Sequence, residues 1–488
     1  MIRQGLFFRR LLLIIFLLSS LFVYGQKPKE VIIEGNALFA ANCDIRAISI
    51  SDYINLLPNT IASTKISKTG YFKLSFKTNS IQIIQLEINT SRSEMFIVPG
   101  YQYKIEINMD EQKFKMFNPA DENGFLQIRS SQIDTNDLNY KINKFYSFYE
   151  KTLDKYANNI IRFRSLLHYD SLVNDIKSQY PVVYEPTNYY FSYIYYTIGQ
   201  LEAIVKNKNY KEIYNKYFDN DFILYDNPAY MTLFNYYYDN YLYLSPRISK
   251  EVLDKAINEN CNYLDLFNGV GKDYSLVNEK LRELVIIKNL SQFINNDEFN
   301  QENVIKLLQH IVKNTHFEEH KKIAESSLKT SIRFNTGSSI PNINFKLANG
   351  SKYDPKDYEG KWIYYQFFST QCVDCIREMV IINELQKQFK DKIVFVSVSV
   401  DADVTKFIQF RKKYTQFDWE FVHFNNSYEW IKYFEIYSLP EYLLISPDGT
   451  LFSRYPSSPE KDLTIFLLRL FTEEEKTADP LNPHYNQK

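Results

Sequence analysis

The sequence predicts a multi-domain chain: an N-terminal β-sandwich, an α-helical middle region and a C-terminal α/β domain. Three changes of texture predict it. From Val31 to about Met109 apolar and polar residues alternate at period two, as in strands with one buried face. From about Asn118 to Ile332 apolar residues recur three and four apart, the spacing of a helix with one buried stripe. Beyond Gly337 two nearly unbroken apolar runs appear, as expected of strands covered on both faces.

Taken in order, the chain opens with Arg3, Arg9 and Arg10 ahead of the apolar run Leu11–Leu18, followed by Val23-Tyr24-Gly25. That is the pattern of a cleaved secretion signal over residues 1–25. The run is short of the roughly 20 residues a membrane span needs, so an uncleaved anchor is the lesser alternative. The expected setting is an exported, periplasmic compartment. Next, "VIIEGNALF", "DIRAISI", "GYFKLSF", "IQIIQLEI", "EMFIVPG" and "YKIEI" read as short strands, giving a β-sandwich over 27–115. "KFYSFYEKTLDKYANNIIRFRSLL" and "EKLRELVIIKNLSQFI" read as helices within 118–332, divided by Pro181, Pro186, Pro228 and Pro246. No fixed-period repeat stands out, so a helical solenoid is not expected.

The α/β domain is expected over 337–473. Strands at Trp362–Phe368 and Ile393–Val400 flank a helix carrying Ile376, Met379, Ile382, Leu385 and Phe389. A helix over Val404–Tyr414, another near Tyr428–Phe434, strands at Tyr442–Ser446 and Leu451–Tyr455, and a helix over Glu460–Phe471 follow. The order is β-α-β-α, then β-β-α. Residues 476–488 are polar and contain Pro, and are expected to be a disordered tail.

Composition narrows the function. With 45% hydrophobic residues, 24% charged residues and a net charge of −1, nothing in the composition points to a phosphate-binding surface, so nucleic acid is not an expected partner. The 40 Tyr and 37 Phe read as core packing rather than a sugar-binding or base-stacking surface. Four cysteines, Cys43, Cys261, Cys372 and Cys375, are too few for a disulfide scaffold. Cys43 and Cys261 belong to no motif and read as inert thiols.

Cys372 and Cys375 form a CxxC after a buried strand and at the start of a helix. A zinc site would need a second ligand pair; only His423 follows before His484, so no metal is expected. A structural disulfide closing so short a loop would add little stability. At a helix N-terminus, unpaired N–H groups and the macrodipole stabilise a thiolate. Cys372 then attacks a substrate disulfide and Cys375 resolves the mixed disulfide. Glu378 lies one turn beyond Cys375 on the same face, where a carboxylate can exchange the proton that the reaction moves; a solvated first-turn acid is the alternative reading. Asp374, between the cysteines, disfavours the thiolate and so favours a reductant over an oxidant.

Residues from about Thr336 to Phe471 resemble the thioredoxin fold, most closely the exported TlpA/ResA-like thiol–disulfide oxidoreductases. The matching stretches are "GSSIPNINFKLANGSKYDPKDYEGKWIYYQFFSTQCVDCIREM", "VFVSVSVDAD" and "YSLPEYLLISPDGTL". The β-rich N-terminus resembles a domain of unknown function found ahead of thioredoxin domains in secreted Bacteroidetes proteins. The resemblance implies that Cys372 is the nucleophile, Cys375 the resolving thiol and Glu378 the active-site acid. It also implies a cis peptide before Pro440, with Leu439 offering backbone groups to the substrate. It implies protein thiols and disulfides as substrates, a membrane electron donor and no cofactor. The chain departs from the family at Gln371, where Trp is usual, at Val373-Asp374, and at Val380, where the helix usually has Pro. A peroxiredoxin is disfavoured, because Tyr365 stands where that chemistry needs Pro, although Ser369 is at a suitable offset. A partner-binding scaffold with a degenerate thioredoxin-like domain is the remaining alternative.

Overall fold

A computed structural model describes residues 27–478 apart from 90, 111–113, 115–125, 132–133, 207–209, 295, 297, 426 and 437. The expected secretion signal, residues 1–25, lies outside the described residues, as does the tail beyond 478. Residues 476–478 belong to the last helix, not to a disordered tail.

Eight strands come first: β1 Lys29–Asn36, β2 Asp44–Ile50, β3 Pro58–Lys65, β4 Tyr71–Thr78, β5 Gln82–Ile88, β6 Ser91–Ile97, β7 Gln102–Asn108 and β8 Gln127–Ser130. They form two four-stranded sheets, ordered β4-β1-β7-β8 and β3-β2-β5-β6. Alternate residues of both sheets, among them Val31, Phe72, Leu74 and Ile105 from one and Ile45, Ala47, Ile84 and Leu86 from the other, share one core. Gly35 lets β1 lie against β7, since a Cβ there would stand 2.5 Å from the Ile105 carbonyl oxygen. The β region runs past the expected limit at residue 115, because β8 pairs antiparallel with β7. Its four residues carry no alternation strong enough to read as a strand.

Helices α1 Leu138–Ala157, α2 Leu166–Lys177, α3 Tyr189–Val205, α4 Tyr210–Tyr217, α5 Pro228–Tyr237, α6 Tyr241–Leu244, α7 Lys250–Asp254, α8 Tyr263–Val270, α9 Glu279–Phe293, α10 Gln301–Asn314 and α11 Glu318–Arg333 follow. An asparagine side chain caps five of them. Asn188, Asn227, Asn262, Asn278 and Asn300 each accept a first-turn backbone N–H, which satisfies donors that a helix leaves unpaired. Many of the tyrosines are core residues here. Tyr196, Tyr217, Tyr230, Tyr237 and Tyr238 are fully buried and pack together.

A buried carboxylate sits among them. Glu202 of α3 is 2% exposed. It meets Lys206 at 2.7 Å and Lys216 at 2.5 Å, and accepts from the Tyr169 and Tyr217 hydroxyls at 2.9 and 2.6 Å. Burial raises its pKa, but the bonds from Lys206, Lys216 and Tyr217 outweigh burial and bring it to about 2.

The C-terminal region comprises β9 Lys346–Leu347, β10 Trp362–Phe368, α12 Val373–Phe389, β11 Ile393–Ser399, α13 Val404–Lys413, β12 Glu420–His423, α14 Tyr428–Tyr433, β13 Glu441–Ile445, β14 Leu451–Ser453 and α15 Leu463–Ala478. The sheet order is β14-β13-β10-β11-β12-β9, with β10, β11 and β12 parallel and β13 antiparallel to β10. All seven residues of central β10 are buried, as its unbroken apolar run requires. One face packs on α12, α13 and α15 through Tyr364, Phe368, Met379, Ile382, Phe407 and Leu467. The other packs on α14 through Tyr365, Val398, Trp430 and Phe434. The β-α-β-α order expected from sequence omits β12, a four-residue strand inside a longer loop, and the two-residue β9.

Side chains tie the regions together. Asn55 donates to the Ile323 carbonyl at 3.1 Å and Asn235 to the Tyr53 carbonyl at 2.6 Å. Lys432 pairs with Glu87 at 2.5 Å. Arg333, the last residue of α11, pairs with Glu435 at 3.1 Å and donates to the Lys432 and Tyr433 carbonyls.

Glu202 gives the helical region a pH signature. Its folded pKa lies below the ordinary carboxylate value of 4.5. Its stabilisation is therefore fully present above that value and is lost as pH falls towards 2. Glu202→Gln should cost about 3 kcal/mol at pH 7, the scale of breaking a buried pair by removing one partner. In denaturant titrations the gap between wild type and variant should close across that acid range.

Candidate redox site

The site forms where β10 hands the chain to α12. The last strand residue is fixed by the Val400 N–H donating to the Phe368 carbonyl at 2.9 Å. A tight turn follows, with the Cys372 N–H donating to the Ser369 carbonyl at 3.0 Å. Cys372 is the N-cap of α12, and its Sγ accepts the Cys375 N–H at 3.1 Å. Sulfur thus occupies the acceptor position that an unpaired helix N–H seeks. Cys372 and Cys375 are joined in a disulfide. Cys372 is half-buried and Cys375 has no exposed surface. Between them Val373 is 75% exposed and Asp374 points to solvent, where Arg377 pairs with it at 2.9 Å. Arg377 also reaches Glu460 at 2.5 Å, so Asp374 does not act on the thiols as a lone negative charge.

Glu378 is not a solvated acid. It is 5% exposed and accepts the Tyr442 hydroxyl from β13. Burial raises its pKa; the Tyr442 hydrogen bond opposes the rise, and the Glu460 charge adds to it. Burial, together with the bond to Glu378, drives the Tyr442 phenol well above its ordinary range. Tyr442 is a donor to a carboxylate and not an anion itself.

The Leu439–Pro440 peptide is cis. Leu439 packs on the core that also receives Cys372 and Cys375. Arg454, 3% exposed, holds both ends of this loop. It donates to the Phe434 and Glu435 carbonyls on one side and pairs with Glu441 at 3.1 Å on the other.

Three of these residues escaped the sequence reading. Tyr442 and Arg454 looked like ordinary strand residues. Gln366 stands alone in the apolar run "WIYYQFF", and that isolation was the available signal, since a polar group on a strand buried on both faces must find partners. It is 1% exposed. Its amide donates to the Cys375 carbonyl at 3.3 Å and accepts from Ser397 Oγ at 3.1 Å, which accepts from the Trp419 indole at 2.9 Å. Cys43 and Cys261 are both free and not bridged to each other; burial pushes the Cys43 thiol up. Among the described residues no group of three His, Cys, Asp or Glu is placed to hold a metal ion.

A thioredoxin-like family model matches residues 360–451. Over 127 residues the chain is 32% identical to the thiol–disulfide oxidoreductase ResA of Bacillus thuringiensis, covering 26% of this chain and 72% of that one. The chain belongs to the ResA-like thiol–disulfide oxidoreductases of the thioredoxin fold. ResA of Bacillus cereus matches with the same identity and coverage. Among solved structures, the thioredoxin domain of a thiol–disulfide oxidoreductase from Bacteroides vulgatus is 20% identical, covering 28% of this chain and 96% of that one, with a TM-score of 0.26. Both N-terminal sheets and α1–α11 of this ResA-like chain lie outside the residues that the family model matches.

The contact between β13 and α12 predicts a titration shift. Tyr442→Phe removes the hydrogen bond that favours the Glu378 carboxylate, while burial remains. The Glu378 pKa should rise further, read as an upward move of its side-chain carboxyl ¹³C titration midpoint in the oxidised protein.

Proposed function

We propose that the chain is an exported reductase of protein disulfides, with Cys372 as nucleophile, Cys375 as resolving thiol and Glu378 as proton acceptor. The observation that carries this reading is the CxxC disulfide at the N-terminus of α12 with a buried acid one turn further on. Residues 1–25 serve as the secretion signal in this reading, supported by Arg3, Arg9 and Arg10 ahead of an apolar run. The two N-terminal sheets, with their common core, are read as a β-sandwich domain, the helices as a second unit and residues 337–473 as the redox domain.

The reaction runs in two exchanges. The Cys372 thiolate attacks one sulfur of a substrate disulfide, and the other substrate sulfur leaves as a thiolate and takes a proton. Cys375 then gives its proton to the Glu378 carboxylate and attacks Cys372 Sγ. The bond between Cys372 and the substrate breaks, and the second substrate sulfur leaves as a thiolate that takes a proton in turn. Two electrons pass to the substrate, and the pair ends as a disulfide. A membrane-held dithiol protein on the exported side returns the electrons. In this reading the cis Leu439–Pro440 peptide lies beside the disulfide and offers backbone groups to an extended substrate chain. Such a substrate must approach over Val373, which leaves an apolar contact open beside the nucleophile.

Trapping tests the roles. With a disulfide-bonded reporter protein, Cys375→Ser should accumulate a covalent adduct through Cys372, and Cys372→Ser should form none. Glu378→Gln should slow release of the adduct by about 100-fold, the lower range of general-base effects, while first attack changes far less. A Cys375→Ser variant that captures no reporter would overturn the reading.

A further inference from the structure

Beside the turn that delivers Cys372 lies a buried carboxylate with no part in the chemistry above. Asp401, just past β11, is 7% exposed. Its Oδ2 accepts the Thr370 N–H at 2.9 Å and Ser399 Oγ–H at 2.8 Å, and its Oδ1 accepts Thr370 Oγ1–H at 3.0 Å. One carboxylate thus grips a single residue by main chain and side chain together. The backbone of Asp401 is held in turn. Its carbonyl accepts His423 Nε2–H at 2.6 Å, and His423 Nδ1 accepts the Asn425 N–H at 3.0 Å. With one ring nitrogen donating and the other accepting, His423 is neutral, and its burial favours that form. The C-terminal ends of β10, β11 and β12 are therefore laced around Asp401.

Burying a carboxylate costs several kcal/mol unless hydrogen bonds satisfy it, and here most of those bonds go to Thr370. Thr370 stands two residues before Cys372, within the turn that the bond from Cys372 N–H to the Ser369 carbonyl closes. In the disulfide the two sulfurs hold each other. In the dithiol nothing covalent fixes Cys372, and its thiolate is stabilised only while Sγ stays within reach of the N–H groups at the start of α12. A clamp on the turn therefore matters more to the reduced state than to the oxidised one.

We propose that Asp401 is a positioning residue of the redox pair: by gripping Thr370 it keeps the Cys372 turn in place in the dithiol and so stabilises the Cys372 thiolate. The inference rests on the redox reading of Cys372 and Cys375. It predicts that loosening the clamp shifts the pair towards its disulfide and makes Cys372 less nucleophilic.

Thr370→Val is the cleanest probe, since it removes one hydroxyl contact, keeps the side chain's shape and leaves the Asp401 charge in place. In the full mature chain equilibrated with dithiothreitol, it should favour the disulfide three- to tenfold; tenfold equals about 30 mV for this two-electron couple. Alkylation of Cys372 by iodoacetamide at pH 7 should slow by a similar factor. Thr370→Ser, which keeps the hydroxyl, should match wild type in both assays. In an Asp401→Ala background, Thr370→Val should add nothing. If that background does not fold, the two Thr370 variants decide alone. A Thr370→Val protein with wild-type equilibrium and alkylation rate, whatever its melting temperature, would overturn the proposal, as would an additive effect in the double variant. A wild-type pair that does not cycle at all would instead overturn the redox reading beneath it.

Discussion

A carboxylic acid buried one turn beyond the inner cysteine of the CxxC is the constraint around which the C-terminal region is arranged. Glu378 must lie on the inner face of α12 to stand on the side of Cys375, and there it is cut off from water. The fold supplies a strong donor, the Tyr442 hydroxyl, and that donor comes from β13. The pairing of β13 with β10 therefore sets the acid as well as the sheet. Burial and the Tyr442 hydrogen bond pull Glu378 in opposite directions, and burial is the larger. An acid raised above its ordinary value comes closer in proton affinity to a thiol, as the proposed proton exchange with Cys375 requires.

The same strand follows directly on the cis Leu439–Pro440 peptide, so the Tyr442 donor and that loop lie on one short segment. Arg454 bonds both flanks of that loop. Arg333 grips the far end of α14 from the last residue of the helical region, and Lys432 is held by Glu87 of β5. The helical region and the N-terminal sheets thus each contact α14, which precedes Pro440. The helices hold themselves together differently, through a tyrosine-rich core in which the buried Glu202 is surrounded by two lysines and two phenols.

Much of this was legible in sequence because it rests on local patterns. The alternation in "YFKLSFKT" places Phe72, Leu74 and Phe76 inside β4, and "WIYYQFF" is buried throughout. The position of Cys372 at a helix start follows from its place between that run and Ile376, Met379 and Ile382. What was not legible depends on residues far apart in the chain. Glu378 reads equally as a surface acid until Tyr442, 64 residues later, is seen to donate to it. Asp374 reads as a charge acting on the thiols until Arg377 and Glu460 are seen beside it. Strand β12 was missed because four residues inside a long loop give no periodicity, and β8 for the same reason.

The central claim is that Cys372 and Cys375 form a reversible, reducing redox couple. The most direct test is the equilibrium reduction potential of the pair in the purified mature protein, with Cys372→Ser as the control that cannot form it. The account predicts a reversible two-electron couple at or below about −230 mV, in the range of reducing thioredoxin-fold proteins. A potential near about −120 mV, that of a strong oxidant, or the failure to form any reversible disulfide, would contradict it.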